Sequence, residues 1–445
     1  MDARDVMKRL ESDGIQNLWV IYHDYSGRAC GKTVPPESFE SVLEKGLNFT
    51  PANLTVTMQD HFITAPPYGA HSGDFMAVPD PDSYAVIPYH DATARTHVWM
   101  RTEEGGPWGG CPRTRLQNVI DEFAAEGLSV MSAFEAECHV YGKVGDGEYE
   151  PANFDGLFSI AGLDRQYDIW KSAVHTLRDM GVGVTQICKE GGPAQYELNL
   201  RHAPAMKSVD DYLTMKEVIR YMTRQAGWIV TFMPKPYAHL FGNGLHVHLS
   251  LWDLDGKKDM SAGEGDEPLS DLGRWFTGGC LAHAAAITAV SAPTVNSYKR
   301  LLPGSWSPAH ICWGVGNRAA LVRVPGLIGR RRIEFRSGDN MCNPFMYLTA
   351  ILAAGLDGIR NQIDPGEPHN DDVGVLPTEE ALARGLTFLP RSLDEAFAAL
   401  EADDLIKDAI GPAILDLFLK VKRHEAMEYA LHVHPWERKY YLEVI

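Results

Sequence analysis

An α+β fold in two units is what the sequence predicts, and three features predict it. The chain has 445 residues, more than a single hydrophobic core ordinarily organises. Strand and helix patterns alternate irregularly along it, without the strand–helix rhythm that marks a parallel sheet. A Gly/Pro-dense stretch, "EEGGPWGGCP" at 103–112, separates a β-rich N-terminal part from the rest. The expected units are therefore 1–105 and 106–445.

The first unit opens with a helix pattern, "ARDVMKRLESDG". A strand pair, "IQNLWVIYHDYSGRACGKTVP", then turns at "DYSG". A Pro/Gly-rich loop follows at 63–89. In the second unit a helix starts near Pro112, whose fixed φ suits a first turn. "LSVMSAFEAECHVYG" reads as a strand, "DRQYDIWKSAVHTLRDMG" as a helix ending at Gly181, and "GVTQICKEGGPAQYELNLR" as a hairpin about Gly191, Gly192 and Pro193. "SVDDYLTMKEVIRYMTRQAG" is a helix with Ser208 as its expected N-cap. "GLHVHLSLWD" is a strand, and "NPFMYLTAILAAGLDGI" a helix. The apolar run "WFTGGCLAHAAAITAVSAPTV" carries Gly278, Gly279, His283 and Pro293, so a buried helix is expected there and not a membrane span.

Composition narrows the function classes. A formal net charge of -18 argues against a nucleic-acid partner. It also means that an anionic substrate needs local cations or metal ions to enter. Seven dispersed cysteines without a CxxC suggest free thiols in a reducing compartment. The N-terminus is charged and lacks the apolar core of a signal peptide, so a soluble cytoplasmic protein is expected. Neither G-x-G-x-x-G after a strand nor a P-loop is present.

Four strand candidates carry polar groups two residues apart, hence on one face. "FEAEC" gives Glu135 and Glu137, and "KEGGPAQYE" places Glu190 and Glu197 across a hairpin. "LHVHLS" gives His246, His248 and Ser250, and "RRIEFR" gives Arg332, Glu334 and Arg336. Taken singly, each is as well explained by a solvated face. The opposite faces, with Phe134, Ala136, Leu245, Val247, Leu249, Ile333 and Phe335, are apolar and should pack on helices. The polar faces would then converge, and five carboxylates so crowded require raised pKa values or cations between them. Glutamate oxygens with one imidazole suit Mg²⁺ or Mn²⁺ better than Zn²⁺. Arginines on the same face add a phosphate, and the set describes phosphoryl transfer. Arg300, Arg318 and Arg323 lie upstream of it.

The ordered segments "FEAE", "EGGPAQYELNL", "GNGLHVHLSLWD", "APTVNSYKRLLPG", "GNRAALVRVP" and "RRIEFRSGDNMCNPF" resemble those of bacterial-type glutamine synthetases over nearly the whole chain. The resemblance implies an N-terminal β-grasp domain, and a catalytic domain whose curved antiparallel sheet forms half a barrel. It also implies sites between subunits of a dodecamer. Carried onto matching positions, one metal site falls on Glu137, Glu190 and Glu197 and the other on Glu135, His246 and Glu334. His248, Ser250 and Arg332 match ATP contacts. Arg300 matches a glutamate-carboxylate ligand, and Arg318, Arg323 and Arg336 match the phosphate and glutamate clamp. Gly242 or Gly244 lets the backbone approach glutamate. A lysine that contacts ATP in the family is Gly329 here.

Three departures concern ammonium. Where the family has an Asp, a Tyr and a flap Glu, the segments "NFTPAN", "DGLF" and "PGSWSP" place Thr50, Leu157 and Trp306. Ammonium requires acceptors on every side, whereas an apolar surround suits an alkyl group beside an amine. The sequence thus points to ATP-dependent ligation of L-glutamate to a small primary amine, methylamine first. Glutamine synthetase proper, ethanolamine or polyamine ligation, and a non-catalytic relative are the alternatives. With those acidic groups gone, the base must come from the Asp60 region or a neighbouring subunit.

Overall fold

The structure is a computed structural model and describes residues 2–326 and 331–444. Six strands form the N-terminal sheet: β1 (Asn17–His23), β2 (Ala29–Val34), β3 (Leu47–Phe49), β4 (Phe75–Pro79), β5 (Ala85–Val86) and β6 (Thr93–Arg101). They run in the order β2–β1–β6–β4–β3, with β5 beside β6. The β1–β6 pair is parallel and the others antiparallel. With the Phe39–Lys45 helix packed on β4, this is a β-grasp domain. The "DYSG" turn closes because the Asp24 carboxylate accepts the Ser26 and Arg28 N–H groups, each at 2.9 Å, while Gly27 takes φ 72°. Asn343 donates to the Asp24 carbonyl at 2.7 Å and ties this turn to the catalytic part.

Eleven strands build the second sheet. They are β7 (Leu128–Gly145), β8 (Glu148–Pro151), β9 (Val184–Lys189), β10 (Gln195–Leu200), β11 (Ala203–Pro204), β12 (Ile229–Thr231), β13 (Leu245–Asp253), β14 (His310–Val315), β15 (Ala320–Val324), β16 (Ile333–Phe335) and β17 (Thr387–Phe388). The main path is β17–β14–β15–β16–β13–β7–β10–β9, and β8, β11 and β12 also pair with the long β7. All pairs but β14–β15 are antiparallel, and the curved sheet forms the half barrel. Its apolar face lies on helices, as the alternation requires. Phe134 stacks on Tyr212 of the helix Ala205–Gln225 with centroids 5.0 Å apart. Phe335 meets Tyr347 of the helix Pro344–Asn361 edge-on at 6.2 Å. The intervening charged residues must face the other way.

Two helix expectations need correction. Ser208 is not an N-cap: the helix begins at Ala205, straight after Pro204, and Ser208 is buried within it. Its hydroxyl lies 2.5 Å from that of Ser132 on β7 and donates to the Ala205 carbonyl, so tertiary packing displaced the capping role. The apolar run at 275–295 is not one helix. It divides into Asp271–Ala282 and Ala284–Ser291 at His283, whose imidazole lies 2.6 Å from Asp403 and 3.3 Å from Asp357. Among the described residues, no helix is long and apolar enough to cross a membrane. The seven cysteines are free.

Candidate active site

Strand register assembles the charged groups. Across β7 and β10, Glu137 faces Glu197 and Glu135 faces Asn199. Across β13 and β7, His246 faces Glu135. Glu334 on β16 stands opposite both His248 on β13 and Arg323 on β15. Glu190 follows the end of β9, in a turn held by Lys189, whose ammonium donates to the Glu190 and Gly192 carbonyls at 2.6 Å each.

One donor group consists of Glu135, His246 and Glu334, all buried, with ligand atoms within 4.8 Å of one another. Glu135 meets His246 Nδ1 at 3.0 Å and His248 Nε2 at 3.1 Å, and accepts from Asn199 at 2.9 Å. Burial works to raise its pKa, but the hydrogen bonds with the two imidazoles hold it well below the usual carboxylate range. Glu334 accepts from Arg323 at 2.7 Å and from Arg336. Against burial, the Arg336 charge holds this carboxyl down at about 2. Burial, and then Arg336, lowers the pKa of His246, leaving a neutral imidazole available to a cation.

A second donor group consists of Cys188, Glu190 and Glu197, again within 4.8 Å. Glu137 faces Glu197 in register, but its carboxylate accepts the Gly244 N–H at 2.7 Å. Burial, reinforced by Glu135, Glu137 and Glu190, pushes Glu197 up to about 10. Burial and Glu137 likewise raise Glu190. Among the described residues, no lysine, arginine or histidine forms a salt bridge to Glu137, Glu190 or Glu197. Their closest donors are Gly244 N–H, Gly191 N–H and the Cys188 thiol. Crowded carboxylates without a salt-bridge partner fit a divalent ion.

The arginines line the same region. Arg300 is buried and donates to the Ser337 and Arg336 carbonyls at 3.0 and 3.2 Å. A Cβ at Gly244 would lie 2.7 Å from the Arg300 guanidinium and 2.8 Å from His246 Nε2, and one at Gly242 would meet the Pro234 carbonyl at 2.5 Å. The backbone clash requires glycine at 242, and a Cβ at 244 would displace the Arg300 and His246 side chains. Arg336 Nε donates to the Arg318 carbonyl at 3.2 Å. Arg332 donates to His248 Nδ1 at 2.9 Å, and Ser250 accepts from Trp252 Nε1 at 2.8 Å.

Trp306 and Arg318 line one cavity of about 360 Å³, together with Asn317, Asp371, Asp372 and Val375. Trp306 is 68% exposed and sits at φ 61°. Leu157 is also exposed, and the N–H of the next residue, Phe158, donates to the Lys189 carbonyl at 2.9 Å. That bond sets the Leu157 loop beside Glu190. Thr50 lies elsewhere, on the N-terminal domain, where its hydroxyl accepts from Ala52 N–H at 3.3 Å. Asp60 is exposed and takes a hydrogen bond from Arg28 at 3.1 Å. Gly329 lies outside the described residues. Sequence reasoning missed Cys188. The available signal was its position two residues before Glu190 in the chain, and register sets it directly opposite Glu197.

A half barrel carrying buried carboxylates and arginines, beside a β-grasp domain, defines an ATP-dependent ligase that forms C–N bonds. The chain belongs to the glutamine synthetase family: the model of the glutamine synthetase N-terminal domain matches residues 1–108, and that of the catalytic domain residues 109–441. It is 35% identical to a glutamine synthetase of Halobacterium salinarum over 99% of this chain and 97% of the relative. It is 33% identical to a glutamate–methylamine ligase of Methyloversatilis universalis over all of both chains. Among solved structures it superposes on GmaS, a γ-glutamylmethylamide synthetase, in complex with ADP, with a TM-score of 0.88. That pair is 32% identical over 98% of this chain and 99% of the other.

Proposed function

We propose that this ligase joins the γ-carboxylate of L-glutamate to a small primary alkylamine, methylamine first, giving a γ-glutamylamide, ADP and phosphate. One observation carries the choice of amine. Trp306 and Leu157, two of the positions expected around the incoming nitrogen, are apolar, with Trp306 sharing a cavity with Arg318 and the Leu157 loop held against the backbone before Glu190. Ammonium gains no acceptor from either side chain, whereas a methyl group gains apolar contact and its cationic nitrogen an indole face. Asp371 and Asp372 in the same cavity are the carboxylates that ammonium would have to use instead. The glutamate–methylamine ligase relative and the GmaS likeness support this reading. The glutamine synthetase relatives of similar identity make ammonia the second reading.

Glu135, His246 and Glu334 would hold one divalent ion, and Glu137, Glu190 and Glu197 another. Magnesium or manganese held there would supply neutralisation of the phosphate charge. Arg332, His248 and Ser250 hold ATP, with Arg323 on its phosphates. Arg300 anchors glutamate, whose chain passes over Gly242 and Gly244. Arg318 and Arg336 neutralise charge as the glutamate oxygen takes the phosphoryl group, and the amine then displaces phosphate from γ-glutamyl phosphate. By the family's pattern, Thr50 and the Asp60 region of the N-terminal domain serve the site of a neighbouring chain in a homo-oligomer, a dodecamer. The proton lost by the amine then passes to a group on that neighbour. The test is glutamate-dependent phosphate release from ATP with ammonia, methylamine, ethylamine, ethanolamine and putrescine. Methylamine is expected to give the highest kcat/KM, and ammonia leading by a wide margin overturns the assignment.

A further inference from the structure

We infer that Cys188 is a metal ligand, and that its sulfur tilts the Glu190–Glu197 site toward thiophilic divalent ions such as Co²⁺, Zn²⁺ and Cd²⁺. The inference rests on the reading of these strands as a metal centre, but it adds a donor of different chemistry.

The geometry is specific. Cys188 is the penultimate residue of β9 and pairs in register with Glu197 on β10. Its Sγ lies 3.6 Å from Glu190 Oε1 and 3.8 Å from Glu197 Oε1. The three side chains converge without an intervening group, from two neighbouring strands and the turn that joins them. The thiol is a weak donor to the two carboxylates at these distances. A cation placed among them could reach all three donors after small side-chain rotations.

An independent observation calls for a cation at this spot. Glu190, Glu197 and the adjacent Glu137 form no salt bridge among the described residues, whereas Glu135 and Glu334, on β7 and β16, have imidazole or guanidinium partners. The carboxylates without a salt-bridge partner lie on the Cys188 side of the site. Glu137, facing Glu197 across the strand pair, is turned to the Gly244 N–H. The group whose ligand atoms all lie within 4.8 Å of one another thus contains the sulfur with Glu190 and Glu197, and not Glu137.

Oxygen donors alone suit Mg²⁺ and Mn²⁺, while a thiolate favours softer ions with stronger affinity for sulfur. On binding, the thiol releases its proton to solvent and the sulfur lone pair enters the coordination shell, with no change of oxidation state. Zn²⁺ or Cd²⁺ should accordingly displace Mg²⁺ at low concentration.

The test is Co²⁺ titration of the metal-free protein, followed by absorption. Wild type is expected to develop a near-ultraviolet sulfur-to-cobalt charge-transfer band that saturates with binding. Cys188→Ser should lose the band and bind Co²⁺ about tenfold or more weakly, a loss typical even of groups supporting a metal ligand. Cobalt bound by wild type without the band, or a band that survives in Cys188→Ser, overturns the role of the cysteine and leaves the carboxylate site standing. Absence of cobalt binding overturns both. Should Cys188→Ser fail to fold, mass-spectrometric mapping of alkylation on wild type gives the same decision. Cd²⁺ should protect Cys188, and equal labelling with and without Cd²⁺ refutes the ligation.

Discussion

Replacing Glu334 by alanine separates what the site does for stability from what it does for turnover. The carboxylate is fully buried, accepts from Arg323 at 2.7 Å and from Arg336, and has His246 at 3.7 Å. Its removal leaves two guanidinium groups facing each other across a dry space. Breaking a buried charge pair from one side costs about 3–5 kcal/mol. Unfolding entropy of about 2.1 cal/mol/K per residue over 445 residues amounts to roughly 0.9 kcal/mol per kelvin. The melting temperature should therefore fall by only ~3–5 °C, and the variant should remain folded at assay temperature. Turnover should fall by roughly 10²–10³ with every amine, since a metal donor and the partner of the arginine clamp disappear together. Differential scanning fluorimetry and phosphate release measure the two effects on one preparation. A Glu334→Ala protein with unchanged melting temperature and near-normal kcat would show that these charges do not meet as described.

Three further outcomes are expected. Trp306→Glu should lower the methylamine-to-ammonia ratio of kcat/KM by about two- to fivefold, because a cation–π contact at an exposed ring contributes ~0.5–1 kcal/mol. An unaltered ratio would place the indole away from the amine. The Asp403 hydrogen bond, with burial opposing it, raises the pKa of His283 above its ordinary 6.5. Its stabilisation is thus complete below that ordinary value and is lost as pH rises through the folded one. The melting-temperature deficit of His283→Gln should accordingly be larger at acidic than at alkaline pH, and a pH-independent deficit contradicts the linkage. A Cβ at Gly279 would collide with the Ala354 carbonyl and lie 2.7 Å from the Gly358 nitrogen, so Gly279→Ala should destabilise by about 1–3 kcal/mol or more through overpacking. An undiminished melting temperature would mean that these two helices are further apart.

Alternation at spacing two made much of the site legible. Because strand side chains point to opposite faces in turn, "FEAEC", "LHVHLS" and "RRIEFR" had to present their charges together once Phe134, Val247 and Phe335 were buried. Helix starts were less secure, as Ser208 illustrates: a capping residue type took a tertiary hydrogen bond instead. The break at His283 was equally hidden, since the Asp357 and Asp403 carboxylates that hold the imidazole are 74 and 120 residues away.

By itself, the sequence determined that carboxylates, imidazoles and arginines would share the polar side of a curved sheet, because period-two patterning is a local property. The tertiary structure decided which of them are neighbours. It joined Glu334 to Arg323 and Arg336, brought Cys188 to Glu190 and Glu197, and turned Glu137 toward Gly244. The physical reason is that pairing depends on register between strands distant in the chain. A shift of one residue would exchange every charged group for an apolar one.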